Sequence, residues 1–173
     1  QKSNKTLGTQ MLFTENGYGE HVFLNNVLIR NMPYAKDSAM NLKSGSGSTF
    51  TAKVIGNTYY GKGVILSSDA VTVIKNNIFY GVSQPTTSIP MYRTISGSSV
   101  SNNIFYDPNN KFPTVSGGMD VNPMFVSADF NTFDFHLQSI SPAIKAGVNL
   151  GSQYILDIEG KSRGSDWNIG AYD

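Results

Sequence analysis

The segment Ile74-Lys75-Asn76-Asn77-Ile78-Phe79-Tyr80-Gly81 returns almost unchanged as Val100-Ser101-Asn102-Asn103-Ile104-Phe105-Tyr106-Asp107. A looser copy, Val54-Ile55-Gly56-Asn57-Thr58-Tyr59-Tyr60-Gly61, precedes them, and a fainter one is Phe23-Leu24-Asn25-Asn26-Val27-Leu28-Ile29-Arg30. An internal repeat constrains architecture more than any local propensity, because units that cannot bury an apolar face alone must stack on one another. The second Asn of each copy falls at 26, 57, 77 and 103, so the spacings are 31, 20 and 26 residues. Unequal spacing fits coils that share a core and differ in loop length.

Within each copy a β-branched or aliphatic run, such as Val71-Thr72-Val73-Ile74, meets an aliphatic-aromatic one, such as Ile78-Phe79-Tyr80. The Asn-Asn between them is too short for a loop and too polar for a strand centre, so it reads as a bend. An amide side chain both donates and accepts, so a column of Asn from successive coils satisfies itself. Candidate third strands lie at 39–43, 63–67 and 91–95, separated from the repeats by Ser/Gly-rich turns such as 44–48 and 96–99. Three strands per coil, each paired with its equivalent in the next, predict an all-β fold: a right-handed parallel β-helix, or solenoid. One domain is expected over 1–173, with an irregular first coil at 1–22, repeated coils at 23–118 and a C-terminal cap at 119–173. The cap is expected to hold a strand at 133–137, where Phe133, Phe135 and Leu137 alternate with polar residues, and to pack on the last coil. It is also expected to hold a short helix over 141–147, opened by Ser141-Pro142 and closed by Gly147.

Charged residues make up 14% of the chain, against roughly 25% in an average soluble domain. That argues against a charge-extended disordered chain. Thirteen Lys and Arg balance twelve Asp and Glu, and no basic run occurs, which argues against nucleic acid as partner. No window holds the roughly 18 consecutive apolar residues of a membrane span. With no Cys, disulfides contribute nothing. The chain opens on Gln1, as expected of a mature product or a piece of something longer, and its Asn4-Lys5-Thr6 sequon matters only in a eukaryotic secretory pathway.

The repeat, together with the tail, resembles secreted right-handed parallel β-helix proteins of the pectate-lyase-like superfamily. In the tail, Asp120-Val121-Asn122-Pro123-Met124-Phe125-Val126, Asp134-Phe135-His136-Leu137 and Ser141-Pro142-Ala143-Ile144-Lys145-Ala146-Gly147 carry the likeness. So do Asp157-Ile158-Glu159-Gly160-Lys161-Ser162-Arg163 and Asp166-Trp167-Asn168-Ile169-Gly170-Ala171-Tyr172. It covers residues 52–173 well and the N-terminal part weakly. It departs from the family pattern at Lys145, where an acid is usual, and at Asp173, where Glu is usual. The resemblance implies a secreted, periplasmic or cell-surface setting, a bacterial source, polysaccharide as partner, and further β-helix coils upstream. It also implies the terminal portion of a polysaccharide-degrading, lyase-like enzyme; the competing reading is a non-catalytic binding or structural β-helix.

A lyase of this kind neutralises a uronate carboxylate with a cation and withdraws a proton with a Lys, Arg or His. The superfamily often uses Ca²⁺ held by clustered carboxylates. The nearest version is Asp37-Ser38-Ala39-Met40-Asn41-Leu42-Lys43, in which Asn41 and Lys43 share one face of a strand with Asp37 at its mouth. One Asp and one Asn fall short of the 6–8 oxygens Ca²⁺ takes, so no metal is assigned; an ordinary surface turn and strand is the competing reading. Lys43, Asp37 and Arg93 are the catalytic candidates and Asn41 a substrate-binding one. Arg93 points to solvent or to the core depending on which neighbours face inward. Lys62 and Lys75 are alternative cations, with Lys75 better explained as a charge at the bend. Two aromatic columns recur in register, Tyr59, Phe79 and Phe105 beside Tyr60, Tyr80 and Tyr106. Only one faces the core. The polar tips assign the outside to Tyr60, Tyr80 and Tyr106, where they are candidates for stacking on sugar rings. Asp134 and His136 share a face, but two ligands do not make a metal site, and they read as solvated; His21 reads as structural or surface.

Overall fold

The bends set the architecture. Their first residue is left-handed each time: Asn25, Asn76 and Asn102 have φ of 51°, 57° and 54°, and Gly56 has 61°. Asn tolerates this region better than other side chains, and Gly enters it at no cost. The second residue turns its amide inward along the stack. Asn26 Nδ2 donates to Asn57 Oδ1 at 2.9 Å, Asn57 Nδ2 to Asn77 Oδ1 at 2.9 Å, and Asn77 Nδ2 to Asn103 Oδ1 at 2.9 Å. The expected ladder is therefore present, and Asn57, Asn77 and Asn103 are all buried.

The computed structural model describes residues 12–17, 19–30, 40–44, 50–61, 66–68, 70–81, 92–93, 96–109 and 117–173. The strands are β1 (Leu12–Gly17), β2 (Gly19–Leu24), β3 (Val27–Arg30), β4 (Met40–Ser44), β5 (Phe50–Ile55), β6 (Thr58–Gly61), β7 (Leu66–Ser68) and β8 (Val71–Lys75). They continue as β9 (Ile78–Gly81), β10 (Tyr92–Arg93), β11 (Ser99–Ser101), β12 (Asn103–Tyr106), β13 (Gly118–Met119), β14 (Phe125–Ser127) and β15 (Asp134–Leu137). The fold is mostly β. Three sheets have the orders β1-β4-β7-β10, β11-β8-β5-β2 and β13-β12-β9-β6-β3, and their pairs are parallel. Apart from β12 with β13, each pair joins strands three apart in chain order. β14 and β15 form a separate antiparallel pair.

The third sheet buries both faces. Its inner row runs Leu28, Tyr59, Phe79, Phe105 in register, and Phe79 stacks on Phe105 with ring centroids 5.0 Å apart. These residues close one core with Leu42, Phe50, Ala52, Val54, Ala70 and Ile74. The outer rows, Val27-Thr58-Ile78-Ile104 and Ile29-Tyr60-Tyr80-Tyr106, enter a second core with Phe125, Phe135, Ala143 and Ile169 of the C-terminal segment. An uninterrupted apolar triplet such as Ile78-Phe79-Tyr80 suits a strand covered on both sides.

This corrects the expected cap. The C-terminal segment does not simply cover the last coil; it runs along the outer face of the third sheet and is tied to successive bends. Asn102 Nδ2 donates to the Ala146 carbonyl at 3.2 Å. Asn76 exchanges two hydrogen bonds with the Val148 backbone, at 2.8 and 2.9 Å. Asn25 donates to the Leu156 carbonyl and accepts from Arg163 at 3.1 Å. At the fourth bend a Cβ on Gly56 would sit 2.6 Å from Asn25 Oδ1, so Gly stands where the other bends carry Asn. At three of the four bends the first residue is thus an Asn that clamps the tail, and at all four the second is an Asn rung of the ladder.

The expected helix over 141–147 is also corrected. Ser141 does cap, its Oγ accepting from Ala143 N–H at 3.1 Å, but residues 142–145 form turns and Lys145 is left-handed at φ 56°. Long-range partners take the groups a helix would use: Asn168 Oδ1 accepts from Lys145 N–H at 2.9 Å, and the Trp167 carbonyl accepts from Gly147 N–H at 2.9 Å. The helical element of the described residues is a single 3-10 turn at Ser152–Tyr154. No helix among the described residues is long and apolar enough to cross a membrane.

Candidate functional site

The tail motifs that carry the family resemblance act structurally. Asp157 Oδ1 accepts from the Glu159 and Lys161 N–H groups at 2.8 Å each, and its Oδ2 from Asp173 N–H at 3.0 Å. Arg163 is buried and donates to the Gly170 and Ala171 carbonyls at 2.9 and 3.2 Å. Its guanidinium lies 5.8 Å from the centre of the buried Trp167 ring.

The lyase candidates fall on the first sheet or beyond the described part. Asp37 and Lys62 lie outside the described residues, as do the side chains of Asn41, Lys43 and Arg93. The backbone puts Asn41 and Lys43 in β4 and Arg93 in β10. Register places Phe13, Asn41, Ser67 and Arg93 in one row across four strands. Lys75 is half-buried at its bend.

The tyrosine column lies on the outer face, as expected, but is not an open platform. Tyr60 stacks on Tyr80 at 5.1 Å and meets Phe133 at 4.9 Å; Tyr80 meets Phe125 at 5.8 Å and Tyr106 at 5.3 Å. The tail supplies the rings that cover them. Burial, aided by Tyr106, Tyr60 and Asp107, pushes the Tyr80 hydroxyl up to about 12, and burial followed by Asp129 raises that of Tyr60. Neither phenol serves as a base near neutrality. The sugar-stacking candidates Tyr60 and Tyr80 are thus half-buried beneath rings of the tail, of which Phe125 and Phe135 are buried and Phe130 is exposed.

That layer borders a groove of about 560 Å³ between β3 and the segment 130–136, lined by Val27, Ile29, Phe130, Asn131, Thr132, Phe133, Asp134, Phe135, His136 and Tyr172. Phe130 is 46% exposed and meets Phe133 edge-on at 5.3 Å, while Phe133 stacks on the buried Phe135 at 5.1 Å. Turn chemistry holds the rim: Asp129 Oδ1 accepts from Asn131 N–H at 2.8 Å, and the Ser127 and Thr132 hydroxyls lie 3.0 Å apart. The sequence showed the alternation of Phe133, Phe135 and Leu137 but not the opposite wall, which comes from Val27 and Ile29 more than a hundred residues earlier.

At one end His136 is held between two acids. Its Nδ1 lies 2.6 Å from Asp134 Oδ1, its Nε2 3.2 Å from Glu159 Oε1, and its ring 4.3 Å from that of Tyr172. Both ring nitrogens can donate at once only in the imidazolium form. Burial lowers the His136 pKa, but the hydrogen bonds to Asp134 and Glu159 outweigh it and raise it above the usual value. Asp134 is held down by the His136 backbone N–H and then by its ring; Glu159 is held down by Lys161, 2.8 Å away, and then by His136. Asp134 and His136, expected to be merely solvated, are instead the centre of an ion network that fastens the turn at 157–161 to β15. No group of three or more His, Cys, Asp or Glu able to hold a metal occurs among the described residues. No family model, curated protein or solved structure matches the chain.

Proposed function

We propose that the chain is a secreted, carbohydrate-associated domain, a right-handed parallel β-helix forming the terminal part of a polysaccharide-degrading protein, and that its groove binds saccharide. The pairing of strands three apart, in register and with a continuous Asn ladder, supports the solenoid. The groove carries the functional reading. Its volume lies in the range of about 300–1,000 Å³ typical of ligand sites, and it joins an exposed aromatic ring to polar groups at close spacing. A pyranose needs that pairing, an apolar face to cover its C–H surface and acceptors and donors for its hydroxyls. The test is affinity electrophoresis against a panel of acidic and neutral polysaccharides, comparing wild type with Phe130→Ala. Retardation by at least one polymer, lost in the variant at unchanged melting temperature, is expected. No retardation by any polymer favours a structural β-helix.

A second reading places lyase chemistry on the first sheet, because register aligns Asn41 with Arg93 and puts Lys43 two residues along the same strand. It predicts unsaturated, ultraviolet-absorbing products from uronate polymers, dependent on Lys43, with Ca²⁺ supplied alongside. Turnover unaffected by Lys43→Ala moves the chemistry elsewhere.

A further inference from the structure

Resting on the saccharide reading of the groove, we propose that it selects neutral hexopyranose chains and disfavours uronate chains. Charge decides the class. A bound uronate carboxylate is stabilised by a cation that faces it. Among the described residues the groove lining contains no Lys or Arg, and its one ionisable base is His136. Both ring nitrogens of His136 are already directed at carboxylates, Asp134 at 2.6 Å and Glu159 at 3.2 Å. The nearby Lys161 ammonium is held by Glu159 at 2.8 Å. The negative groups remain accessible: the Asp134 and Glu159 side chains are 43% and 40% exposed. Asp129 is exposed on the rim and close enough to raise the Tyr60 pKa. The His136 imidazolium and Lys161 ammonium balance Asp134 and Glu159, which leaves no cation free to pair a uronate among these groups and leaves the Asp129 carboxylate at the rim to repel one, while the exposed carboxylate oxygens accept hydrogen bonds from neutral hydroxyls.

The donor and acceptor set agrees. Asp134 Oδ1 is occupied by the backbone N–H and ring of His136, while its Oδ2 has no partner among the described residues. Oδ2, the Asn131 amide and the Thr132 hydroxyl supply acceptors and donors beside the exposed Phe130 ring, against which the C–H face of a neutral pyranose fits.

The experiment uses the whole chain and two matched pairs of soluble oligomers differing only in oxidation at C6: mannohexaose against its mannuronate counterpart, and cellohexaose against its glucuronate counterpart. Binding is read by calorimetry at low and high salt for wild type, Phe130→Ala and Asp134→Asn. A neutral member bound about fivefold or more tightly is expected, the scale of one or two exposed like-charge contacts. Salt should narrow the gap by strengthening uronate binding, because it screens repulsion. Asp134→Asn should narrow it at low salt. Tighter binding of the uronate member, abolished by Phe130→Ala, overturns the selectivity and leaves the saccharide reading standing. A preference unchanged by both salt and Asp134→Asn overturns the electrostatic cause. Binding of no oligomer overturns the saccharide reading, and the selectivity with it.

Discussion

Replacing Asn77 with Ala removes the central rung of the ladder. The side chain is fully buried, and five hydrogen bonds meet on it. Its Nδ2 faces the Val54 carbonyl at 2.8 Å, the Lys75 carbonyl at 2.9 Å and Asn103 Oδ1 at 2.9 Å. Its Oδ1 accepts from the Asn57 backbone N–H and from Asn57 Nδ2, both at 2.9 Å. The losses differ in weight. Asn57 Nδ2 keeps the Phe23 and Ile55 carbonyls, and Asn103 Oδ1 keeps the Asn77 backbone N–H. The Asn57 N–H loses its acceptor inside the core, which costs about 1–3 kcal/mol. The two carbonyls lose a donor worth about 0.5–1.5 kcal/mol each. Together these give about 2–6 kcal/mol, or a fall of about 4–24 °C in Tm for a domain of this size. The comparison is Asn102→Gly. Asn102 is exposed and left-handed and makes a 3.2 Å bond to the tail, so that change should stay within about 1 kcal/mol. Urea unfolding of both variants beside wild type measures the difference. Equal destabilisation would refute the division of labour between the two Asn of an Asn-Asn bend.

Gly170→Ala should destabilise by about 1–3 kcal/mol through overpacking alone. The new Cβ would lie 2.8 Å from Ile78 Cδ1 and 3.1 Å from Thr58 Oγ1, at a φ of 109° that other residues rarely adopt; an unchanged Tm would contradict the close approach of tail to sheet. The His136 network gives a pH dependence with a defined sign. Because the folded His136 pKa is raised, its stabilisation is complete below the ordinary 6.5 and is lost as pH rises through the folded value. The lowered Asp134 and Glu159 values act oppositely, their contributions being lost as pH falls through the folded values, below the ordinary 3.8 and 4.5. Wild-type Tm should therefore decline on raising pH past neutrality, and His136→Gln should flatten that decline. A His136 ring that titrates at or below 6.5 by NMR would contradict the geometry.

What the sequence revealed and concealed follows from the range of each interaction. The ladder was legible because Asn26, Asn57, Asn77 and Asn103 satisfy one another, so each copy announces its own partner. The inner column of Tyr59, Phe79 and Phe105 was legible because strand periodicity assigns one of two faces to the core. The clamp role of Asn25, Asn76 and Asn102 was not, since Asn76 meets Val148 seventy-two residues away and nothing local distinguishes it from the rung beside it. The start signal at Ser141 is a true cap, but a continued helix loses to the Asn168 side chain and Trp167 backbone, which no local pattern shows. The polar tips of the tyrosines show their face but not their cover, which only the unbroken Ile78-Phe79-Tyr80 run, typical of a strand with two buried sides, indicates. The groove escaped because its walls come from opposite ends of the chain, and His136 because its second carboxylate, Glu159, arrives through the tail.

The most direct measurement is a map of where a sugar touches the domain. Isotope-labelled protein would be titrated with mannohexaose and followed by backbone amide and aromatic chemical shifts. The account predicts shifts concentrated on Phe130, Asn131, Thr132, Phe133, Asp134 and His136, saturating together with one affinity. Shifts concentrated on Asn41, Ser67 and Arg93 of the first sheet, with the groove unperturbed, would contradict it.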